Sequence, residues 1–413
     1  MKKVIVIGAG ASGIIAGAIA AKNGNKVIIL EKMSEPLKKL LISGKGRCNI
    51  TNSADIDTFI ENTPGNGHFL YSAFYTFFRE DILEILQKEG VKTKVERGGR
   101  VFPVSDSSRD VANALLNFAK KNGAKIICNS KVKEIIVNEG TVSGVKLDNG
   151  SMFEADSVII ATGGMSYPGT GSDGDGYKFA IKLGHTVTEL RPSLVGLITE
   201  EKWVQDLQGL SLKNVEITLR DSNNKKVYSD FGEMLFTHFG VSGPIILSAS
   251  RVAHKYIKNG LNIEGLKLNI DLKPALDFEK LEARVIRDFD KYSKKQLKNA
   301  MDDLLPKRLI PVVIQLSEID ENKFVNQITK QERRKIVEIL KGLTLTIVKL
   351  RPIAEAIVTA GGVEVNEINP STMESKLVKG LYFCGEVMDL DAYTGGFNLQ
   401  IAFSTGYLAG SNI

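Results

Sequence analysis

Three glycines near the N-terminus, Gly8, Gly10 and Gly13, have the spacing GxGxxG. Gly8 permits a tight turn, Gly10 lets backbone N–H groups approach a pyrophosphate, and Gly13 lets a helix pack on a strand. Ala11 and Ser12 complete the turn before that helix, whose N-terminus carries partial positive charge suited to phosphates. Glu31 ends the next strand-like run, with Lys32 beside it. A carboxylate there suits the two hydroxyls of an adenosine ribose. A second set lies near the C-terminus. Gly385 and Glu386 follow the run LYFC, and Asp389 and Asp391 stand just beyond. Glu386 and Asp389 can take ribityl hydroxyls of a flavin. Gly395, Gly396, Phe397, Asn398 and Leu399 open a last helix, whose N–H groups suit the N1/O2 edge of a reduced flavin. An NAD-only protein has no need of this second loop, so FAD is the expected cofactor.

Thr162, Gly163 and Gly164 follow a buried run, as at the mid-chain strand end of two-dinucleotide-type flavoproteins. The glycine-rich stretch after them, 168–176, is read as an extension of that loop. No second GxGxxG stands directly between a strand-like run and a helix, the string at 169–174 lying inside the glycine-rich stretch, so NAD(P)H is expected as a transient hydride donor without a domain of its own. A third polar loop, SGKGRCNITN at 43–52, contains two glycines and no apolar face. It lacks the Walker A pattern. Lys45 and Arg47 could bind pyrophosphate or substrate, and Asn49 and Asn52 the flavin edge. Cys48 is the cysteine of this cationic loop, and its thiol, ordinarily near ~8.5, would be lowered by Lys45 and Arg47. Cys48 is therefore a candidate proton donor, with His238 and Tyr393 as rivals and water as a further source. The four His are not at metal-ligand spacing with one another, and no metal is expected.

Those loops need elements to hold them. Residues 3–7 and 26–30 read as buried parallel strands around a small-residue helix, 13–23. Helical periodicity marks 80–90 and 107–123. Strand-like alternation runs over 124–160, and short strands with a hairpin at Ser222–Asn224 fill 187–272. Charged helices are expected over 277–301 and 321–342, and a last helix over 397–410. The fold class is α/β. The expected parts are a discontinuous two-dinucleotide-type Rossmann-like FAD domain (1–190 and 346–413), an inserted β-barrel-like domain (191–272) and a helical domain (273–345).

Composition sets the outer limits. The chain has 413 residues, 43% hydrophobic and 25% charged, which excludes wholesale disorder. Three cysteines without CxxC spacing argue against a disulfide framework or structural zinc, and for a reducing cytoplasm. No apolar run reaches the ~18–20 residues that span a bilayer, and the N-terminal apolar stretch leads directly into the glycine motif rather than a cleavage site. The net charge is +6. Residues 251–350 carry 21 Lys+Arg against 14 Asp+Glu, and the other residues carry 33 against 34. A polyanionic partner and a solvated helical face both account for that asymmetry.

Several stretches, in order along nearly the whole chain, resemble one family, the BaiN/RdsA-type flavoproteins, also called the YhiN or aminoacetone oxidase family. They are VIGAGASG, LEK, SGKGRCNITN, GRVFP, ATGGMSYPGTGSDGDGY, FTHFGVSGPIIL, AGGVEVNEI and LYFCGEVMDLDAYTGGFNLQIAFSTG. The sequence departs from it at Ala360, where members commonly carry arginine. The resemblance implies FAD, a barrel-like insertion and a helical part. It also implies reduction of a conjugated C=C bond by hydride from flavin N5, with an acid protonating the other carbon. Two substrates follow from it: a uridine of 23S ribosomal RNA, reduced to dihydrouridine, or a steroid-type enone acid. The basic 251–350 segment makes ribosomal RNA the first expectation. A flavin-containing binding or redox-sensing protein is a third, non-enzymatic class.

Overall fold

A computed structural model describes residues 1–259 and 262–413. The chain forms two compact units, Met1–Ser193 with Ile353–Ile413, and Leu194–Pro352.

The first unit is built on a five-stranded parallel sheet. Its strand order is Leu381–Phe383, Ser157–Ile160, β1 (Lys3–Ile7), β2 (Lys26–Leu30) and Lys125–Ile127. Ile5 of β1 sits between Val158 and Ile28 in register. Its three central strands are buried on both faces, which is why KVIVI, SVII and KVIIL read as nearly continuous β-branched runs. The helix α1 (Ala11–Lys22) and the last helix, Phe397–Ser411, pack together on it. Their approach depends on missing side chains. A Cβ on Gly13 would fall 2.0 Å from the Gly8 carbonyl oxygen, and one on Gly406 would fall 2.4 Å from that of Ser12. Ile14, Ile15 and Ile19 on α1 are buried, each contributing about 1.5–3 kcal/mol by leaving water. The expected helices at 80–90, 107–123 and 397–410 are Arg79–Lys88, Ser108–Lys121 and Phe397–Ser411. The carboxyl ends of β1, Ser157–Ile160 and Leu381–Phe383 open on one edge, where ligands of open α/β sheets bind.

The second unit holds a seven-stranded antiparallel sheet. Pairing of Ser211–Arg220 with Asn262–Asp271 closes six of its strands into a ring, a barrel, with Ile257–Asn259 outside it. The hairpin at Ser222–Asn224 joins Ser211–Arg220 to Lys226–Thr237, with Asn224 at φ 60°. Helices Phe278–Lys291, Ile310–Ser317 and Lys330–Lys341 follow. Asp277 caps the first by accepting from Lys280 N at 2.8 Å. Thr329 and Glu332 form a capping box on the third. The middle helix, IPVVIQLS, is apolar nearly all round and gave no periodic signal.

One boundary differs from the sequence reading. Leu343–Leu350 pairs with Leu197–Thr199 and Asn262–Asp271 inside the barrel, so the chain returns to the first unit at Ile353 rather than at 346. The cause is period-two burial: Leu343, Leu345 and Ile347 are all within 1% of full burial, which fits one face of a barrel strand.

Candidate functional site

The glycine turn between β1 and α1 lies at the head of a cavity in the first unit. The wall runs from Glu31, Lys32, Ser130 and Lys131 past Gly8–Ser12 and Thr162–Gly163 to Glu386, Asn398 and Leu399. Gly8 takes φ 103°, and a Cβ there would strike the Ala161 carbonyl oxygen at 2.6 Å, so only glycine makes this turn. Gly10 differs, since a Cβ on it meets nothing within 4 Å. A side chain at 10 would project into open space above the helix N-terminus. No side chain caps α1 and its first turn holds no acid. Its leading N–H groups are those that an α-helix cannot satisfy internally.

Glu31 is fixed by two backbone donors, Ala9 N and Met33 N, each at 2.8 Å. Its carboxylate oxygens keep lone pairs for a further donor. Thr162 Oγ1 is buried without a hydrogen-bond partner and belongs to the same wall. At the other end the helix Phe397–Ser411 also begins without a side-chain cap. Asn398 closes the preceding loop, accepting from Ala392 N at 2.9 Å and donating to the carbonyls of Ala392 and Tyr393. A carboxylate, two uncapped helix N-termini and an unpartnered hydroxyl along one cavity fit an adenosine, a diphosphate and a flavin chain in that order.

The motif residues thus separate into groups. Gly8, Gly10, Ala11, Ser12, Glu31, Lys32, Thr162, Gly163, Glu386, Asn398 and Leu399 line the cavity. Gly13, Gly164 and Gly385 stand behind it as packing positions: a Cβ on Gly164 would meet Thr359 Oγ1, and one on Gly385 would meet Ser12 Oγ. Asp389 is half-buried, and desolvation, with Asp391 and Glu364 nearby, raises its carboxyl above the usual range. Gly395 and Gly396 sit against Phe397 and Thr51. Phe397 is buried edge-on to Phe59. The Lys32 ammonium is held by Asp173 and by Asp175 (3.0 Å) of the glycine-rich loop.

The 43–52 loop does not join this wall beyond Ser43. Cys48 was read as a thiol in a cationic loop; it is 0% exposed, and burial pushes its thiol up to about 12. Its backbone takes φ 61° and its N–H donates to the Ser43 carbonyl at 3.0 Å, which turns the side chain into the core. Arg47 is likewise committed elsewhere. It pairs with Glu96 and with Asp106 at 2.6 Å, over the Phe102 ring at 4.1 Å, and these carboxylates raise its pKa further. Lys45 is exposed. Asn49, with its amide oxygen toward Gly396, accepts from that N–H at 2.9 Å. Tyr393 is half-buried, its N–H donating to the Asn62 carbonyl at 2.9 Å. His238 belongs to the second unit, exposed, with its ring edge-on to Phe239.

Sequence reading passed over Lys39 and Ser166. Lys39 Nζ lies 2.6 Å from Glu386 Oε2 and 2.7 Å from Ser166 Oγ. The run KKLL carried no signal, because the partners stand 127 and 347 positions away. A further polar cluster is closed: His185 bridges Glu367 (3.1 Å) and Ser375 (2.8 Å). It looks like a Ser–His–acid triad, but Ser375 Oγ already accepts from Leu377 N and Val378 N. Among the described residues no group of three His, Cys, Asp or Glu could hold a metal, and no helix is long and apolar enough to cross a membrane.

A family model described as the HI0933-like protein Rossmann domain matches residues 2–412. The chain is 32% identical to a 3-dehydro-bile acid delta(4,6)-reductase of Clostridium scindens, covering 99% of this chain and 98% of the relative. It is 31% identical to a ribosomal RNA dihydrouridine synthase of Escherichia coli K12, covering 99% and 97%. In fold it is similar to a 3-ketosteroid-delta4-(5alpha)-dehydrogenase of Rhodococcus jostii, with TM-score 0.55, 14% identity and coverage of 100% and 96%.

Proposed function

Because the chain belongs to the HI0933-like Rossmann family of FAD-dependent oxidoreductases, we propose that it reduces a conjugated C=C bond, and that its substrate is a uridine of ribosomal RNA. Reduced FAD, when bound, would supply the hydride for uracil C6, and a proton at C5 would complete the reduction. The residues around the cavity bind and orient: Glu31 takes the ribose, the α1 N-terminus the diphosphate, and the Phe397–Ser411 N-terminus the ring edge. Cys48 is assigned no step, since its enclosed thiol holds its proton. NAD(P)H would reach the flavin as a visitor, for only the Gly8–Gly13 turn lies directly between a strand and a helix. This reading places the protein in the cytoplasm, with ribosomal RNA as its partner.

The observation that carries the choice of RNA is where the charge sits. Residues 194–352 hold 27 Lys+Arg and 21 Asp+Glu, while the flavin-binding unit holds 27 of each. The entire net charge of +6 therefore belongs to the second unit, as suits a polyanion. The relative from Escherichia coli supports the same substrate class. A second reading, reduction of a small enone, is favoured by the local pairing of that charge. Arg284 with Asp288, Lys291 with Asp303 and Lys323 with Glu332 form ion pairs within 2.8 Å.

The test is mass spectrometry of 23S ribosomal RNA from a strain lacking the gene. Loss of one dihydrouridine, restored by the wild-type gene, supports the RNA reading. Unchanged RNA together with turnover of a steroid enone by the purified protein establishes the second.

A further inference from the structure

Lys39 is a charged residue of the cavity wall that the dinucleotide and flavin motifs leave unexplained. It leaves the short helix Lys38–Ile42 and meets residues from two distant segments. Its Nζ donates to Glu386 Oε2 at 2.6 Å and to Ser166 Oγ at 2.7 Å. Ser166, 0% exposed, passes the interaction on by donating to Glu386 Oε1 at 3.1 Å. Thr359 N donates to that same oxygen at 2.9 Å. Glu386 is thereby pinned by an ammonium, a hydroxyl and a backbone N–H. The Lys39 and Glu386 side chains are 27% and 19% exposed, so solvent screens them only in part. Removing one partner of such a pair leaves an uncompensated charge, and that costs more than the pair itself contributes. Lys32, also in the wall, cannot substitute, because Asp173 and Asp175 already hold it.

We propose that Lys39 is a positioning residue for bound FAD. It balances Glu386 and holds that carboxylate against the wall, where it can accept from ribityl hydroxyls without repelling the diphosphate or the negative charge that reduction adds to the flavin. The proposal rests on the FAD reading. It explains why a carboxylate is tolerated in a cavity that must accept an anionic cofactor. It also assigns a role to the Ser166 and Thr359 contacts, which keep Glu386 from swinging toward the flavin when charge builds there.

The experiment compares wild type, Lys39→Arg, Lys39→Met and the double variant Lys39→Met with Glu386→Gln. FAD dissociation constants are measured by fluorescence, and midpoint potentials of the bound flavin by dye equilibration. Lys39→Met is expected to bind FAD at least tenfold more weakly. Its potential should fall by about 30 mV, the equivalent of a tenfold shift for two electrons. Lys39→Arg should stay near wild type. The double variant should regain the lost potential, because the unpaired charge is gone, while its FAD affinity stays below wild type for want of the carboxylate acceptor; a role in packing alone predicts no such recovery of potential. Should Lys39→Met fail to fold, the double variant decides: a flavin potential more than about 30 mV below wild type overturns the proposal. Wild-type affinity and potential in Lys39→Met overturn it too. A wild-type protein that binds no FAD overturns the cofactor reading itself, which separates the two failures.

Discussion

Two glycine-containing loops of the first unit, one after a strand and one after the short helix Lys38–Ile42, look alike as strings of small and polar residues, yet they fold to opposite ends. The Gly8–Gly13 turn keeps its helix N-terminus uncapped and faces a cavity. The Ser43–Asn52 loop satisfies itself. Arg47 turns to Glu96 and Asp106, and Thr51 Oγ1 donates to Gln400 Oε1 at 2.7 Å. Asn52 Nδ2 donates to the Gly98 and Gly395 carbonyls. A polar loop binds a ligand only if its donors are left over after folding. The first loop has leftover donors because an α-helix cannot use them. The second has few, because partners arrive from residues 96–106 and 395–400.

The sharpest way to break this contrast is to add side chains to the first loop. Gly13→Val should cost ~3 kcal/mol or more in urea unfolding, since its Cβ would sit 2.0 Å from Gly8 O, beyond what core overpacking usually tolerates. Gly10→Val should leave the unfolding midpoint unchanged and lower flavin content, read by absorbance, more than tenfold. Equal stability losses in both variants would mean that position 10 is packed rather than open. In the second loop the outcome should reverse. Cys48→Ala should cost ~1–2 kcal/mol for a buried deletion and leave the rate of flavin reoxidation by substrate intact. A drop of ~10²–10⁴-fold, typical of a lost general acid, would return Cys48 to the chemistry.

The closed His185 cluster sharpens the comparison at smaller amplitude. Burial pushes His185 below its ordinary value, with Glu367 opposing. The unfolded chain therefore takes up a proton near pH ~6.5 that the native state refuses. Stability is full above that pH and falls as pH drops through the window below it, by at most about 1.4 kcal/mol per unit. Urea midpoints between about pH 7 and 5 should show this slope in wild type and lose it in His185→Gln. The smallest effect is expected from Arg47→Met, which should keep wild-type flavin content because Arg47 lies outside the cavity wall.

The strands, the turn at Gly8 and the carboxylate at Glu31 were legible because each is local: β-branched runs, a steric need for glycine and a fixed offset along one βαβ unit. The closed barrel was legible from short alternating strands, although its last strand, Leu343–Leu350, was divided between two expected parts. Long-range pairing was not legible. Whether Arg47 faces a ligand depends on Glu96 and Asp106, and whether Cys48 is reactive depends on a left-handed backbone that folds it inward. Lys39 was missed for the same reason, since its meaning comes entirely from Glu386 and Ser166.

The central claim is that flavin held in the open loop passes hydride to a conjugated C=C bond of RNA. Its most direct test is anaerobic mixing of the FAD-reduced protein with unmodified 23S ribosomal RNA, following flavin absorbance and the dihydrouridine formed. Reoxidation is expected in step with one dihydrouridine per flavin, slowing steeply as salt rises. A flavin that stays reduced with RNA but reoxidises with a steroid enone, independently of salt, would contradict the RNA assignment; a flavin that stays reduced with both would contradict the C=C reductase itself.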